Sequence, residues 1–233
     1  NPFLVTVIDS EAAESVGHSD LEFSRYRLSA AVNRLEMNAD GSLVLAFVDD
    51  ESGAGSADNT RLVRRGYLGR SCAIPTVVKE CSFPVWSNDV WILDSAGGVS
   101  CWSAAATRKE EITNVLRLDL PLPVEHFVAL AGDGEFAMSF ADGVSVIQFD
   151  KSTNEVRRTE LAGDACRLVS LNSVTPTEEF ALATSRVCYW DSKSKNLVVE
   201  SWKRGQLGSG RERWNIRLPA VEQVRDCFVS ERG

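Results

Sequence analysis

Short apolar runs recur along the chain with polar, glycine-bearing turns between them, and the stretch from Val124 to Leu161 shows the pattern most fully. Val124 to Leu130 is turned back by Gly132-Asp133-Gly134 into Phe136 to Phe140. Ala141-Asp142-Gly143 leads on to Val144 to Phe149, and Lys151 to Asn154 leads to Val156 to Leu161. Runs of this length, rich in β-branched and aromatic residues and split by dipeptides that supply positive φ, predict an antiparallel meander of four strands.

The rest of the chain reads as variants of this unit. Asn1 to Asp9 matches Gly41 to Asp49 nearly position for position, and Glu22 to Leu28 alternates as a strand with one wet face. A second unit takes Val32 to Met37, Leu43 to Val48 and Arg61 to Tyr67. A third takes Val77 to Phe83, Val90 to Leu93, Val99 to Trp102 and Val115 to Leu118, with Ala104 to Asn114 as a loop or a short helical turn. The last takes Cys166 to Leu171, Phe180 to Thr184, Val187 to Trp190 and Leu197 to Trp202, followed by the run Trp214 to Leu218. Second strands so placed start at Leu43, Val90, Phe136 and Phe180, steps of 47, 46 and 44 residues. A period in the mid-forties with four strands per unit is that of β-propeller blades.

Near the end, Leu218-Pro219-Ala220-Val221-Glu222 echoes Leu122-Pro123-Val124-Glu125-His126, which opens a unit. Residues 221–229 therefore read as a first strand that pairs with the N-terminal strand 3–9 and closes a ring within one domain, residues 1–233. Closure of this kind removes sheet edges. That composite and the four internal units make about five blades. The alternatives are an incomplete or fragmentary larger propeller, and a terminal amphipathic helix with Val221, Val224 and Phe228 on one face. The chain starts at Asn1-Pro2 without methionine, which points to a domain of a longer protein or to a processed product.

Aromatic residues followed by a turn end the third strands: Trp102-Ser103, Phe149-Asp150 and Trp190-Asp191. With the turn Asn38-Ala39-Asp40-Gly41-Ser42, set between Leu35 and Leu43, these residues make the chain resemble the WD40-repeat family in a divergent form, although the Gly-His pair that usually opens a repeat is absent. The resemblance implies a rigid propeller whose rim loops dock other polypeptides. Five blades are fewer than the seven usual for that family.

Composition narrows the function classes. The 233 residues, 44% apolar and 25% charged, suit a folded globular chain. A net charge of −8 and a pI near 4.9 argue against a general attraction to nucleic acid or anionic membrane. No run approaches the ~20 apolar residues of a membrane span. Six cysteines lack a C-x-x-C pair, and only His18 and His126 could assist them, so no metal site and no cofactor are expected. Reduced core cysteines place the chain inside the cell, in cytoplasm or nucleus.

Catalysis finds little material, and no catalytic residue is expected. Two histidines leave a triad short of a base, and no nucleophile elbow, P-loop or dinucleotide fingerprint occurs. A propeller glycosidase would draw on Glu36, Glu80, Glu125 or Glu222, which alternate with apolar neighbours as solvated strand-end charges also do. Two loops are candidates for contact. Lys203, Arg204, Arg211 and Arg213 lie between Trp202 and Trp214, a composition that meets phosphate and stacks on bases; a solubilising loop with inward tryptophans is the plainer reading. Asp49, Asp50, Glu51 and Asp58 form an acidic counterpart. Trp86, in an inter-strand turn, is a candidate anchor, whereas Trp91, Trp102 and Trp190 are expected to fill the space between blades. The expected function is a non-catalytic scaffold subunit of an intracellular multiprotein complex, binding through Trp86, Asp50, Glu51 and the basic loop. An RNA-associated subunit using residues 203–213 and a carbohydrate-active propeller enzyme are the alternatives.

Overall fold

A computed structural model describes residues 4–8, 23–27, 32–37, 43–48, 60–64, 71–84, 87, 89–103, 113–173, 184–208, 210–224 and 226–229. These hold nineteen strands and no helix. The fold is all-β and propeller-like, made of four-stranded antiparallel meanders. Two compact units divide the chain. The first comprises Asn1–Phe83, Asn88–Ser95 and Ser100–Leu116, and the second comprises Pro84–Ser87, Ala96–Val99 and Arg117–Gly233.

In the first unit, β1 (Leu4–Ile8) pairs with β2 (Phe23–Arg27) as a two-stranded sheet. Next come β3 (Val32–Met37), β4 (Leu43–Val48), β5 (Thr60–Arg64) and β6 (Ser71–Ala73), ordered as in sequence. The following sheet has β7 (Val78–Ser82), β8 (Asp89–Asp94), β9 (Val99–Ser103) and β10 (Thr113–Arg117). Leu45, Ile74, Val90, Ile92 and Trp102 form a buried cluster there, with Phe47, Val78, Cys81 and Phe83 packed around it. Trp91 and Trp102 are buried, as expected of blade-filling tryptophans.

Cys81 in this cluster is a free thiol whose pKa is pushed up to about 12, first by burial and then by the carboxylate of Glu36, with Arg34 opposing. A thiol so raised is almost wholly protonated near neutrality, and the thiolate is the nucleophile. At pH 8, iodoacetamide labelling of Cys81 in the native chain is expected to run on the order of a thousandfold slower than in urea, where the thiol returns to ~8.5. Peptide mass mapping reads the ratio, and equal rates would contradict it.

The second unit carries β11 (His126–Ala129), β12 (Glu135–Phe140), β13 (Gly143–Asp150) and β14 (Glu155–Ala162) as one meander. Its strands and turns fall where the apolar pattern puts them. Beside it stands a sheet of β15 (Cys166–Ser173), β16 (Thr184–Asp191), β17 (Asn196–Lys203) and β18 (Glu212–Arg217), extended on the β15 side by β19 (Asp226–Val229). Leu130, Ala137, Val144 and Val146 from the first of these sheets pack with Cys166, Val187, Tyr189, Val198, Trp202 and Leu207 from the second. On the far face of the second sheet, Val169, Cys188, Trp190 and Leu197 are covered by Leu218, Val221 and Val224.

Three expectations need correction. Thr184–Asp191 is one strand, with no break at Ser185-Arg186; Ser185 lies inside it, its hydroxyl donating to Glu135 in the interior, and residues 180–183 of the expected second strand lie outside the described residues. Among the described residues, second strands begin at Leu43, Asp89, Glu135 and Thr184, steps of 46, 46 and 49 residues. Trp190-Asp191 in consequence closes a second strand, while Phe149-Asp150 closes a third. Finally, the strand expected over residues 221–229 is present as Asp226–Val229, but its neighbour is β15, to which it runs parallel with Ser170 opposite Asp226. Residues 3 and 9 of the expected closing partner, and the proposed helical turn at 104–112, lie outside the described residues; the described part of the N-terminal strand, β1, is paired with β2.

Candidate functional site

Side chains alternate along β17, so Val198, Glu200 and Trp202 share one face and Leu197, Val199 and Ser201 the other. Val198 and Trp202 belong to the core shared with the neighbouring sheet, which forces the carboxylate of Glu200 into the same buried row. A buried charge requires partners. The Tyr189 hydroxyl donates to Glu200 Oε1 at 2.7 Å. Arg213, directly across the ladder from Glu200, brings Nε to 3.8 Å of Oε1, and Arg211 brings Nε to 3.2 Å of Oε2. Oε2 has no aligned hydrogen-bond donor, so Arg211 holds it by charge alone.

This cluster fixes part of the expected basic loop. Glu200 is 0% exposed, while the arginine side chains are 38% and 50% exposed at 211 and 213, so each guanidinium has one side on the carboxylate and one in solvent. Lys203 and Arg204 are exposed, and among the described residues neither is ion-paired with Glu200. The loop between them folds back on itself: Gln206 N donates to Lys203 O at 2.9 Å, Gly205 and Gly210 take φ of 71° and 70°, and Leu207 is buried beside Trp202. Positive φ at both glycines is what permits the reversal. Of the two bracketing tryptophans, Trp202 is 1% exposed and Trp214 is 48% exposed, so the reading that both pack inward holds for one only.

Burial comes first in pushing the Tyr189 phenol above its usual range, followed by its bond to Glu200 and the charge of that carboxylate. The hydroxyl is thus a fixed donor, and the cluster presents positive charge to solvent while its one carboxylate is shielded. A second interior carboxylate, Glu135, accepts from Gln148 Nε2 at 2.8 Å and Ser185 Oγ at 3.3 Å, joining β12, β13 and β16 at the end of the sheets from which the basic loop projects. Neither Glu135, Tyr189 nor Glu200 was singled out by sequence. The available signal was an acid inside an apolar strand, Leu197-Val198-Val199-Glu200-Ser201-Trp202.

The remaining candidates separate. Trp86, Asp50 and Glu51 lie outside the described residues. Glu125 is ion-paired with Arg167 at 3.1 Å and Glu36 with Arg34 at 3.4 Å; Glu80 is partly buried and Glu222 is exposed. Cys81 and Cys166 are free thiols among the described residues. Among the described residues no helix is long and apolar enough to cross a membrane, and no group of three or more potential ligands gathers to hold a metal.

No protein-family model and no curated protein matches the chain. Solved structures do. A crystal structure of a eukaryotic initiation factor aligns over 91% of this chain and 52% of its own, with a TM-score of 0.52 and 10% identity. Sqt1 of Saccharomyces cerevisiae aligns over 76% of this chain and 47% of its own at a TM-score of 0.46 and 13% identity. A protein of Bacteroides uniformis, provisionally assigned as a 6-phosphogluconolactonase, aligns over 84% and 55% at 0.46 and 13%. The chain thus spans about half the length of the structures it is similar to. At these identities the likeness concerns architecture, and it agrees with the meanders described above: this is an all-β chain of the propeller type.

Proposed function

We propose that this chain is a non-catalytic interaction subunit of an intracellular protein assembly, a divergent relative of WD40 propellers that docks partners through the loop 203–213. The observation that carries the reading is the burial of Glu200 beneath Arg211 and Arg213, which holds two half-exposed guanidinium groups in place before any partner arrives. Preorganised charge on a rigid sheet saves the ordering cost that a mobile loop meets on binding. Exposed Trp214 lies next in sequence to Arg213, and hot spots favour tryptophan and arginine together.

The paired substitution Lys203→Glu and Arg204→Glu tests this without touching the Glu200 cluster. Wild-type and variant chains, immobilised and exposed to extract of the cells that make them, are compared by mass spectrometry. The expected result is the loss from the variant of a defined set of proteins at unchanged thermal unfolding. Identical sets would remove the loop from the reading, and recovery abolished by nuclease would favour the RNA-associated alternative, whose affinity falls steeply with salt.

A further inference from the structure

An outer edge strand normally carries something that discourages pairing: charges, a bulge or a proline. β14, the outer strand of its meander, follows this rule. Arg157 is ion-paired with Glu155, Arg158 with Asp142, and the strand exposes no large apolar side chain. β18 is charged too, through Glu212, Arg213 and Arg217, but unlike β14 it also exposes two large apolar side chains. Among the described residues its only ladder partner is β17, all six of its residues are exposed, and its other backbone edge is unpaired. Arg213, Asn215 and Arg217 stand on one face, while Glu212, Trp214 and Ile216 stand on the other, the two apolar side chains each 48% exposed. One side of the open edge is therefore cationic, and the other carries two apolar side chains after a single acid at its start.

We propose that β18 accepts an extended acidic segment of a partner polypeptide as an added antiparallel strand. Residues of one parity in that segment are glutamate or aspartate facing Arg213 and Arg217, and those of the other parity are β-branched or aliphatic, facing Trp214 and Ile216. Backbone hydrogen bonds supply the attachment and the alternating side chains supply the selectivity. In the register that pairs residues 213–217 with one another, charge disfavours the other evident occupant, a second copy of this chain. In the antiparallel register centred on Asn215, Arg213 of one copy would stand opposite Arg217 of the other, and like charges directly across a ladder repel. Arg211, Lys203 and Arg204, at the end of the strand from which the loop projects, add attraction for an acidic partner. The inference rests on the interaction reading above, and it names the partner's chemistry and mode of attachment.

The probe is a fluorescein-labelled peptide of about nine residues with glutamate at alternate positions and valine between, titrated with the full chain at low salt and followed by anisotropy. Two N-methylated versions block the backbone donors of one peptide edge or of the other. Binding is expected to survive methylation of one edge and to be lost on methylation of the opposite edge, because only one edge of an added strand faces β18. Affinity is expected to fall about tenfold or more when lysine replaces glutamate in the peptide, and likewise for Arg217→Glu in the chain. Trp214→Ser is expected to weaken the valine-containing peptide more than one with serine in its place. Equal binding by both methylated versions, or none by the parent peptide, overturns the proposal. So does preferential binding of a labelled oligonucleotide, or a dimer of the chain that occupies the edge. The Lys203 and Arg204 experiment reads the loop, whereas the two N-methylated peptides read the backbone edge of β18, so the two can fail separately.

Discussion

Glu200→Ala is expected to lower the unfolding free energy by roughly 3 kcal/mol, measured by urea denaturation. The carboxylate is wholly buried, and its removal strands the Tyr189 hydroxyl in the interior without its acceptor. An unsatisfied buried donor costs about 1 to 3 kcal/mol, and the vacated volume adds to that. Little is assigned to the arginines, because both are more than a third exposed and water takes over their solvation. Glu200→Gln keeps the volume and an acceptor oxygen, and is expected to cost about 1 kcal/mol. Combining Glu200→Ala with Tyr189→Phe should cost less than the two single changes added together, since the second removes the donor that the first leaves stranded. Tyr189 also sets an alkaline limit. A phenol whose folded pKa is raised contributes stability that is fully present below its unfolded value of ~10 and is lost as pH rises through the higher folded value. Wild-type stability should accordingly decline above that unfolded value, and Tyr189→Phe should lack this component.

The same residues show where sequence was readable and where it was not. Turn chemistry is local, so Gly132-Asp133-Gly134 and the turn after Phe149 could be placed from their own residues. Asp150 accepts from the backbone nitrogen and hydroxyl of Ser152, Asp191 accepts from Lys193 and Ser194 in the same way, and Asn154 and Lys195 take φ of 58° and 56° in matching positions. An aromatic followed by aspartate thus marks a four-residue turn, whichever strand it ends. That is why Trp190-Asp191 has the local pattern of a third-strand end and yet closes a second strand. By its local pattern Ser185-Arg186 reads as a break because two polar residues interrupt the apolar run, whereas the hydroxyl of Ser185 has an acceptor 50 residues away in Glu135. Ser71–Ala73 is too short to show a period at all. The neighbour of β19 is equally nonlocal: pattern supplied a strand, but its parallel partner is β15.

The candidate site was legible as composition and illegible as geometry. Four cations and two tryptophans announced a contact loop, yet nothing in the sequence separated Arg211 and Arg213, anchored on Glu200, from Lys203 and Arg204, which stand free of it. Nor did it separate Trp202 from Trp214. Parity along the hairpin makes the difference. Trp202 lies on the β17 face with Val198, toward the neighbouring meander, while Trp214 is across from Val199 on the opposite face.

Trp202→Ala is the second large effect, expected to destabilise the chain by about 3 to 5 kcal/mol. Its indole is 1% exposed and packs where Leu207 of the basic loop meets Val144, Val146 and Tyr189, so truncation opens a cavity at the root of the loop as well as between two sheets. Trp202→Phe is expected to be much milder, since it keeps most of the apolar area and discards an indole nitrogen that has no hydrogen-bond partner in the interior. The ratio of the two costs separates packing from polarity. A comparable loss in both variants would mean that the indole nitrogen contributes most of the stabilisation, against the geometry. The alanine variant should also release the loop before the sheets unfold: amide exchange at Gln206 and Leu207 is expected to accelerate well beyond that of β13, because Leu207 loses the side chain it packs on while the β12 to β14 ladder keeps its own hydrogen bonds. If exchange rises equally in the loop and in β13, Trp202 stabilises the unit as a whole and the contact loop is not separately anchored.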